Sequence, residues 1–471
     1  MLRSAVWARW HRIRWRACCG ISRTRCAVTE RIAFLLDGET VTANPGETLW
    51  AVAHRLGKTL PHLCHRPAEA GRHPGLEPAG NCRACMVEIE GERTLAASCC
   101  REVRPGLVVH TQSERARLAR RMVLELLARE AGRATQMLAP ASELTRWCER
   151  EGVALPPPDA GQRDAVDTSH PAIAVNLSAC IACMRCVRAC RDLQGNDVIA
   201  IAGHGRTTRI VFDDDRPLGA SSCVACGECV EACPTGALAP AHDALRQPIA
   251  RTVDTVCPYC GVGCQLTLHV GQDERIAYVT GRDGPANHGR LCVKGRYGFD
   301  YVHHASRLTH PWIRRPDAAK DVADIERFER GEITLQDRFH PASWAEALDA
   351  AAFGFRTRRD AARAAGKPPP LAGFGSAKGS NEEAYLFQKL VRVGFATHNV
   401  DHCTRLCHAS SVAALLEGIG SGAVSNPVAD VAQAEVILLI GANPSANHPV
   451  AASWIKNAVR RGATCSAIIA P

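Results

Sequence analysis

The 471-residue sequence lacks the apolar segments and sorting signals that mark membrane and secreted proteins. No stretch reaches the roughly 20 consecutive apolar residues that span a bilayer. The first thirty residues hold seven arginines, yet they contain neither the apolar core of a secretory signal nor the adjacent arginine pair of a twin-arginine signal. We therefore expect no membrane span, and we interpret residues 1–29 as an Arg-rich extension that is disordered or a misassigned start.

The sequence also lacks the features of a nucleic-acid-binding or dinucleotide-binding protein. The net charge is +9, but the seven arginines of the first thirty residues supply most of this excess, so we expect no nucleic-acid partner. No G-x-G-x-x-G segment follows a strand-like run, which excludes the usual dinucleotide-binding turn. The hydrophobic content of 46 % is high enough for folded cores and excludes wholesale disorder.

Cysteine, in contrast, is abundant, with 24 residues. Most of these thiols lie in C-x-x-C and C-x-x-C-x-x-C runs, a spacing that is typical of metal or cluster ligation. A disulfide framework is the alternative, but it does not account for the close spacing within single loops. Reduced, metal-binding thiols predict a cytoplasmic location.

Two tandem runs of the form C-x2-C-x2-C-x3-C give the strongest signal. They comprise Cys180, Cys183, Cys186 and Cys190, and then Cys223, Cys226, Cys229 and Cys233. Such a pair is typical of a two-cluster ferredoxin, in which the fourth Cys of each run ligates the [4Fe–4S] cluster of the opposite run. Zinc sites are the alternative, but they leave the proline after Cys233 unexplained.

A group of cysteines nearer the N-terminus predicts a [2Fe–2S] cluster. Its members are Cys64, Cys82, Cys85 and Cys99. Its segment PAGNCRACMVEIEGERTLAASCC resembles the electron-input subunit of respiratory complex I and NAD-linked formate dehydrogenases. The first gap is lengthened around EAGRHPGLEP, and Cys100 competes with Cys99 as the last ligand. Because no cysteine follows His110 until Cys148, we expect the additional His-Cys cluster of complex I subunits to be absent.

A third constellation, CPYCGVGC followed by GRLCVKGR, contains Cys257, Cys260, Cys264 and Cys292. It resembles the N-terminal [4Fe–4S] domain of molybdopterin-bis-guanine-dinucleotide oxidoreductases. The resemblance implies that Lys294 lies between the cluster and the pterin and helps electrons to pass. The ordinary alternative for Lys294 is a solvated surface lysine.

Residues 376–427 closely resemble the catalytic subunits of formate dehydrogenases. In that family a Cys or selenocysteine in an R-x-C/U-H setting ligates molybdenum or tungsten, which implies this role for Cys407 in Arg405-Leu406-Cys407-His408. His408 would accept a proton or orient the substrate. A buried apolar thiol is the alternative for Cys407, and Cys403 is a nearby competitor that lacks the following histidine.

A further set of residues is assigned to the pterin cofactor by the same resemblance. An apolar strand from Glu435 runs into the turn GANPSANHP, and parallel strands of α/β sheets end where nucleotides bind. The resemblance implies that the cofactor contacts Lys378, Asn381, Gly441, Asn443 and His448.

These patterns predict a multidomain α+β and α/β protein. Residues 30–110 would form a β-grasp [2Fe–2S] ferredoxin-like domain, with a hairpin turn at Asp37-Gly38. Leu118, Met122, Leu126 and Leu127 recur at helical spacing, which predicts an amphipathic helix in the linker. The remaining expected boundaries are 111–170 for this helical linker, 171–245 for the two-[4Fe–4S] ferredoxin domain, 250–305 for the small [4Fe–4S] domain and 306–471 for the start of an α/β molybdopterin-binding catalytic domain.

The resemblance implies the α subunit of an NAD-linked molybdenum formate dehydrogenase. Formate would be oxidised to CO2 at a molybdenum or tungsten bis-molybdopterin guanine dinucleotide, and one [2Fe–2S] and three [4Fe–4S] clusters would carry electrons to a flavin- and NAD-binding partner like those of complex I. Family catalytic subunits are far longer, so we expect the chain to be truncated at its C-terminus. The alternatives are a non-catalytic iron–sulfur electron-transfer subunit related to complex I, or an inactive fragment.

Overall fold

A computed structural model describes residues 31–68, 75–156, 166–241 and 247–468. The chain divides into two compact units, Met1–Ala250 and Arg251–Pro471, and each is treated by itself. The predicted Arg-rich extension and residues 157–165 of the predicted helical linker lie outside the described residues. Within the described part of the chain, no helix combines the length and the apolarity that a bilayer crossing requires.

The first unit begins with the predicted β-grasp domain. Its elements are β1 Ile32–Leu36, β2 Glu39–Ala43, α1 Leu49–Arg55, β3 Met86–Ile89, β4 Ala96–Ala97 and β5 Val108–His110. The sheet order is β2-β1-β5-β3-β4, and β1 runs parallel to β5. Helix α1 buries Leu49, Trp50 and Val52 in the same apolar core as the sheet.

The hairpin turn between β1 and β2 is confirmed at Asp37-Gly38. Both residues have positive φ, 52° and 85°, as a type I′ turn requires. The Asp37 carboxylate also accepts hydrogen bonds from the backbone amide and the hydroxyl of Thr111, at 2.6 and 2.7 Å. One acidic side chain therefore forms the turn and closes the domain against the segment that follows β5.

Two helices follow, α2 Glu114–Leu138 and α3 Glu143–Arg150. Helix α2 is confirmed. Its buried face is not the one that the large apolar side chains mark, because Leu118, Met122 and Leu126 are more than half exposed. The buried face instead contains Ala116, Arg120, Leu124, Ala128 and Ala131. Its small side chains allow close approach to the neighbouring elements, and the Arg120 guanidinium donates to the carbonyls of Met86 and Thr111, at 3.2 and 2.6 Å.

The ferredoxin region has two similar halves. Its elements are β6 Ile173–Val175, α4 Arg185–Arg188, β7 Ile199–Ala202, β8 Arg209–Phe212, α5 Glu228–Ala232 and β9 Leu238–Pro240. Strand β6 pairs antiparallel with β9, and β7 pairs antiparallel with β8. The short helices α4 and α5 each contain the third cysteine of one run, so the repeat in the sequence becomes a repeat in the fold.

The second unit opens with a three-stranded sheet in the order β10-β11-β12. Its strands are β10 Ile249–Val256, β11 Gln265–Gly271 and β12 Ile276–Gly281, and they are followed by α6 Val293–Tyr297. The loop before β11 and the start of α6 contain the third group of cysteines, which packs with Leu266, Val279 and Leu291.

The rest of the second unit has the predicted α/β character. Its elements are β13 Trp312–Arg314, α7 Asp324–Glu329, α8 Leu335–Arg338, β14 Phe339–Pro341, α9 Trp344–Ala364, β15 Gly373–Gly375, α10 Asn381–Lys389, β16 Val400–His402, α11 Thr404–Ile419, β17 Val436–Ile440, α12 Pro444–Asn447, α13 Pro449–Arg460 and β18 Thr464–Ile468. Strand β15 pairs parallel with β16, and β17 pairs parallel with β18. Val436, Leu438 and Ile440 of β17 are all exposed.

Candidate functional site

The structure brings together the four cysteines that were assigned to the [2Fe–2S] cluster. Cys64, Cys85 and Cys99 are buried, and Cys82 is half-buried beside them. The lengthened first gap does not separate Cys64 from the others, because its thiol lies within 4.8 Å of that of Cys99. The competitor Cys100 is exposed, so Cys99 is the thiol of this pair that faces the group.

These four thiols interact strongly with one another. Hydrogen bonds from Cys82 and Cys99 lower the pKa of Cys64, and the hydrogen bond to Cys64 raises the pKa of Cys99. A hydrogen bond with Cys99 lowers the pKa of Cys85 to about 6. Such close sulfurs cannot all be thiolates unless a cation neutralises them, which is what cluster iron provides.

A buried histidine supports the fit of a cluster at this position. His65 is only 4 % exposed, and within the described residues neither ring nitrogen has a hydrogen-bond partner. One of its nitrogens lies within 4.8 Å of the thiols of Cys64 and Cys99. Leaving a buried donor unsatisfied is costly, and the sulfide or thiolate of a bound cluster would supply the acceptor.

The fold brings cysteines of both tandem runs together in each of two groups. One cavity is lined by Cys180, Cys183, Cys186 and Cys233, which are three residues of the first run and the last of the second. In the other group, Cys190 interacts electrostatically with Cys223 and Cys229 of the second run. This is the crossed arrangement that the spacing predicts for two cubes.

The loops of both runs orient backbone amides toward sulfur. Ala182 and Ala225 have positive φ, 50° and 53°, and their amides donate to the thiols of Cys180 and Cys223, each at 3.4 Å. Such amides form a concave site for an anionic group and stabilise the thiolate form of a ligand. Burial raises the pKa of Cys183 to about 12, so cluster iron would have to displace its proton on binding.

A buried ion pair lies next to the cavity of the first cube. The Arg185 guanidinium has no solvent exposure and donates to both carboxylate oxygens of Glu143, at 2.7 and 2.8 Å. Burial raises the pKa of Glu143, but the Arg185 guanidinium outweighs this effect and holds that pKa below its ordinary value. The pair joins the start of helix α3 to the start of helix α4, which contains Cys186.

Glu143→Gln is expected to lower the free energy of unfolding of the first unit by about 3 kcal/mol, because Arg185 would remain buried without its counter-charge. The matched control is Glu125→Gln, which removes an exposed ion pair with Arg121 at 3.0 Å and should cost about 0.5 kcal/mol or less. Calorimetric unfolding of the two variants measures the difference. Equal shifts of the unfolding midpoint would show that the buried pair contributes no more stability than the exposed pair.

In the second unit, one cavity is lined by the four cysteines of the third group, namely Cys257, Cys260, Cys264 and Cys292, together with Lys294. Asn447, Pro449 and Val450 line the same cavity. Lys294 is exposed but faces this cavity from the first turn of α6. The fold therefore places Asn447 and Pro449, the two neighbours of His448 in the sequence, next to the cysteine group.

The residues assigned to the pterin lie at strand ends and helix starts. Gly441 follows β17 and has a φ of 60°, and Asn443 caps α12 by accepting a hydrogen bond from the Ala446 amide at 3.2 Å. Lys378 follows β15 and is exposed, and Asn381 is the first residue of α10. Carboxyl ends of parallel strands are the usual ligand sites of α/β sheets.

The predicted metal ligand Cys407 lies in the first turn of α11 and is exposed, as is His408. A separate cavity at the ends of β15 and β16 is lined by Gly375, Ser376 and His402 among others, but not by Cys407. The competitor Cys403 accepts a hydrogen bond from the Ala377 amide at 3.1 Å. The described residues thus leave the Cys407 thiol open to a ligand, while Cys403 has a structural partner.

Known protein domains match four successive parts of the chain. Residues 29–114 match the 2Fe-2S iron-sulfur cluster binding domain, residues 179–237 the 4Fe-4S dicluster domain, residues 250–304 the molybdopterin oxidoreductase Fe4S4 domain and residues 307–471 the molybdopterin oxidoreductase domain. Residues 250–471 are thus similar to two domains of molybdopterin oxidoreductases, and two regions before them are similar to iron–sulfur domains.

Relatives of this chain differ in the activity that their names give. "Putative formate dehydrogenase YrhE" of Bacillus subtilis (strain 168) is 28 % identical over 91 % of this chain and 45 % of its own length. "NADPH-Fe(3+) oxidoreductase subunit alpha" of Geobacter sulfurreducens is 30 % identical over 88 % of this chain and 45 % of its own length. The chain therefore spans about half the length of these relatives.

A solved structure also resembles part of this chain. The NAD+-reducing [NiFe]-hydrogenase in the H2-reduced state is 32 % identical, and the match covers 47 % of this chain and 92 % of the hydrogenase chain with a TM-score of 0.38.

Motif spacing identified the grouped cysteines of this chain but missed the polar residues around them. His65, Arg185 and Glu143 were not predicted. An arginine inside a cysteine run, as at Arg185, is a signal that could have been noticed. Glu143 has no such signal, because it meets Arg185 only in the folded chain.

Proposed function

We propose that this chain supplies the cluster-binding part and the first half of the catalytic domain of an NAD-linked formate dehydrogenase. The observation that carries the proposal is the Arg405-Leu406-Cys407-His408 sequence, in which an exposed thiol lies in the first turn of helix α11, within the region that matches the molybdopterin oxidoreductase domain. Relatives named as formate dehydrogenases support it. Because the chain spans 45 % of their length, the activity is proposed for the chain together with the portion that these relatives have in addition.

In this proposal each residue group has a distinct role. A molybdenum or tungsten bis-molybdopterin guanine dinucleotide would supply the two-electron chemistry that oxidises formate to CO2. Cys407 would provide a soft thiolate ligand to the metal, and His408 would accept the proton. Lys378, Asn381, Gly441, Asn443 and His448 would bind the cofactor.

The clusters would carry the electrons away from the catalytic centre. The four cysteine groups would hold three [4Fe–4S] clusters and one [2Fe–2S] cluster. Electrons would pass from the Cys257–Cys292 site, beside Lys294, through the tandem cubes to the [2Fe–2S] site. A separate flavin- and NAD-binding subunit would accept them, since this sequence has no dinucleotide-binding turn of its own.

The state of the thiols supports a cytoplasmic location for this enzyme. All the cysteines that the structure describes are free, and none forms a disulfide. Reduced thiols persist in the cytosol, where they remain available to bind iron.

A second candidate is an iron–sulfur electron-transfer subunit that does not act on formate. The relative named as an NADPH-Fe(3+) oxidoreductase subunit favours it, because that name contains no formate activity. The position of Cys407 outside the described cavities also agrees with this alternative.

Metal content and formate-dependent dye reduction test the proposal on anaerobically purified protein. We expect about fourteen irons per chain, two from the [2Fe–2S] cluster and twelve from three cubes, together with about one molybdenum or tungsten. Formate should then reduce a viologen dye. Full iron without either metal, and without formate-dependent reduction, would favour the electron-transfer subunit.

A further inference from the structure

The segment between the first two [2Fe–2S] cysteines lies against the ferredoxin region. Leu76 is buried in a small apolar cluster with Ala189 and Ala232 of that region. The side chain of Arg66, also buried, donates to the carbonyl of Glu231 at 3.4 Å. The lengthened gap of the [2Fe–2S] motif is therefore part of a contact surface within the first unit.

Arg188 connects the backbones of the two cluster loops directly. Its guanidinium donates to the carbonyls of Cys64 and Glu77 on the [2Fe–2S] side. On its own side, it donates to the carbonyls of Cys183 and Met184, at 3.4 and 3.3 Å. One side chain thus binds the backbone carbonyl of a predicted [2Fe–2S] ligand and that of a predicted [4Fe–4S] ligand.

Other contacts join the same two loops. The side-chain amide of Asn81, the residue before Cys82, donates to the backbone carbonyl of Ala182, the residue before Cys183, at 3.0 Å. The Cys183 side chain also belongs to the apolar core that contains Cys64. Independent polar and apolar contacts therefore bring the Cys183 loop to the [2Fe–2S] site.

We propose that Arg188 is a positioning residue that holds the [2Fe–2S] loop against the cube of Cys180, Cys183, Cys186 and Cys233, and that this cube is the electron partner of the [2Fe–2S] site. The cube of Cys190, Cys223, Cys226 and Cys229 is then one step further along the relay. This inference rests on the proposed function, because it requires that both cysteine groups hold clusters.

The proposed step transfers a single electron between the two sites. When clusters are bound, the [4Fe–4S] cluster held around Cys183 would give up one electron and the [2Fe–2S] cluster held around Cys64 would accept it, with no bond made or broken and no proton required. Arginine suits the role, because its planar fork of five N–H donors can serve several carbonyls at once, whereas a lysine ammonium is a point charge. Removal of the guanidinium would take this donor away from the carbonyls of Cys64 and Glu77 and loosen the contact.

The test uses the full chain, reconstituted anaerobically, with Arg188→Ala and Arg188→Lys. The control is Arg209→Ala, which removes an exposed arginine paired with Asp215 and far in sequence from the [2Fe–2S] cysteines. Two readouts apply: amide hydrogen exchange of residues 75–85 and 180–186, and electron paramagnetic resonance of the reduced [2Fe–2S] cluster. The resonance reports a nearby reduced cube as faster spin relaxation.

Arg188→Ala is expected to keep the full iron content but to lose amide protection in both segments and to lose the fast relaxation. Arg188→Lys should lose most of the amide protection and most of the fast relaxation. Arg209→Ala should keep both. Full iron with unchanged protection and unchanged relaxation in Arg188→Ala would overturn the proposal. Should that variant fail to fold, Arg188→Lys carries the test, and full iron with unchanged protection and unchanged relaxation in Arg188→Lys would overturn the proposal equally.

Failure of the proposed function gives a different result. A wild-type chain that binds no iron refutes the cluster relay and with it the electron partnership. Hydrogen exchange on that iron-free chain would still decide the positioning role, since loss of protection in Arg188→Ala supports the contact and unchanged protection refutes it.

Discussion

Replacing Cys180 and Cys233 together by alanine is expected to remove about four irons per chain, whereas replacing Cys180 and Cys190 together should remove about eight. The reason is the crossed arrangement of the thiols. Cys180 and Cys233 line one cavity, so losing both destroys a single cube. Cys190 instead interacts with the cysteines of the second run, so its loss together with Cys180 damages both cubes.

The two double variants are matched controls for each other, because each removes two cysteines from the same domain. Iron and acid-labile sulfide are measured on both after anaerobic reconstitution. Cluster ligation within each run, without crossing, predicts the opposite outcome: eight irons lost with Cys180 and Cys233, and four with Cys180 and Cys190. The experiment therefore decides which thiols share a cube, whatever the reaction of the whole protein.

Cys407→Ser is expected to reduce formate-dependent dye reduction about 10³-fold, which corresponds to about 4 kcal/mol in transition-state free energy. In the proposed function the thiolate is a metal ligand, and a serine hydroxyl is a harder and far less acidic donor. The iron content should not change, since Cys407 belongs to none of the four cluster groups. Steady-state assays with formate and a viologen dye, on protein of measured metal content, provide the test.

Cys403→Ser is the control for this prediction. Its thiol accepts a hydrogen bond from the Ala377 amide, and a serine oxygen can replace it as the acceptor. We expect the activity of this variant to stay within about threefold of the parent protein. If Cys403→Ser is the inactive variant and Cys407→Ser is active, the metal ligand has been assigned to the wrong cysteine.

Local sequence signals predicted much of the fold. The Asp37-Gly38 pair identified a hairpin because few other dipeptides tolerate two positive φ angles. Helix α2 was also predictable, but its buried face was not. Two sets of residues recur at helical spacing along it, and the set with the larger side chains, including Leu118 and Met122, is the exposed one. Which set is buried depends on the shape of the neighbouring surface, which the helix sequence does not contain.

The candidate site was predictable to the extent that its ligands are local. Three or four cysteines within a dozen residues indicate a cluster site by their spacing alone. The residues around them are not local, since Arg188 meets Cys64 across 124 positions of the chain and Arg185 meets Glu143 across 42. Such pairs form only when separate segments fold together, so no short motif encodes them.

Helix α2 has a consequence for how fast electrons could move through the first unit. Leu124 and Ala128 of this helix pack with Leu63 and Ala84 near the [2Fe–2S] cysteines. Further along, Ala134 packs with alanines beside Cys180 and Cys233. The contacts at Leu124 and Ala134 are ten residues apart on one continuous helix, about 15 Å at 1.5 Å per residue, so the helix fixes the separation of these two regions. Transfer between them then needs no swinging or docking motion, so solvent viscosity would not slow it.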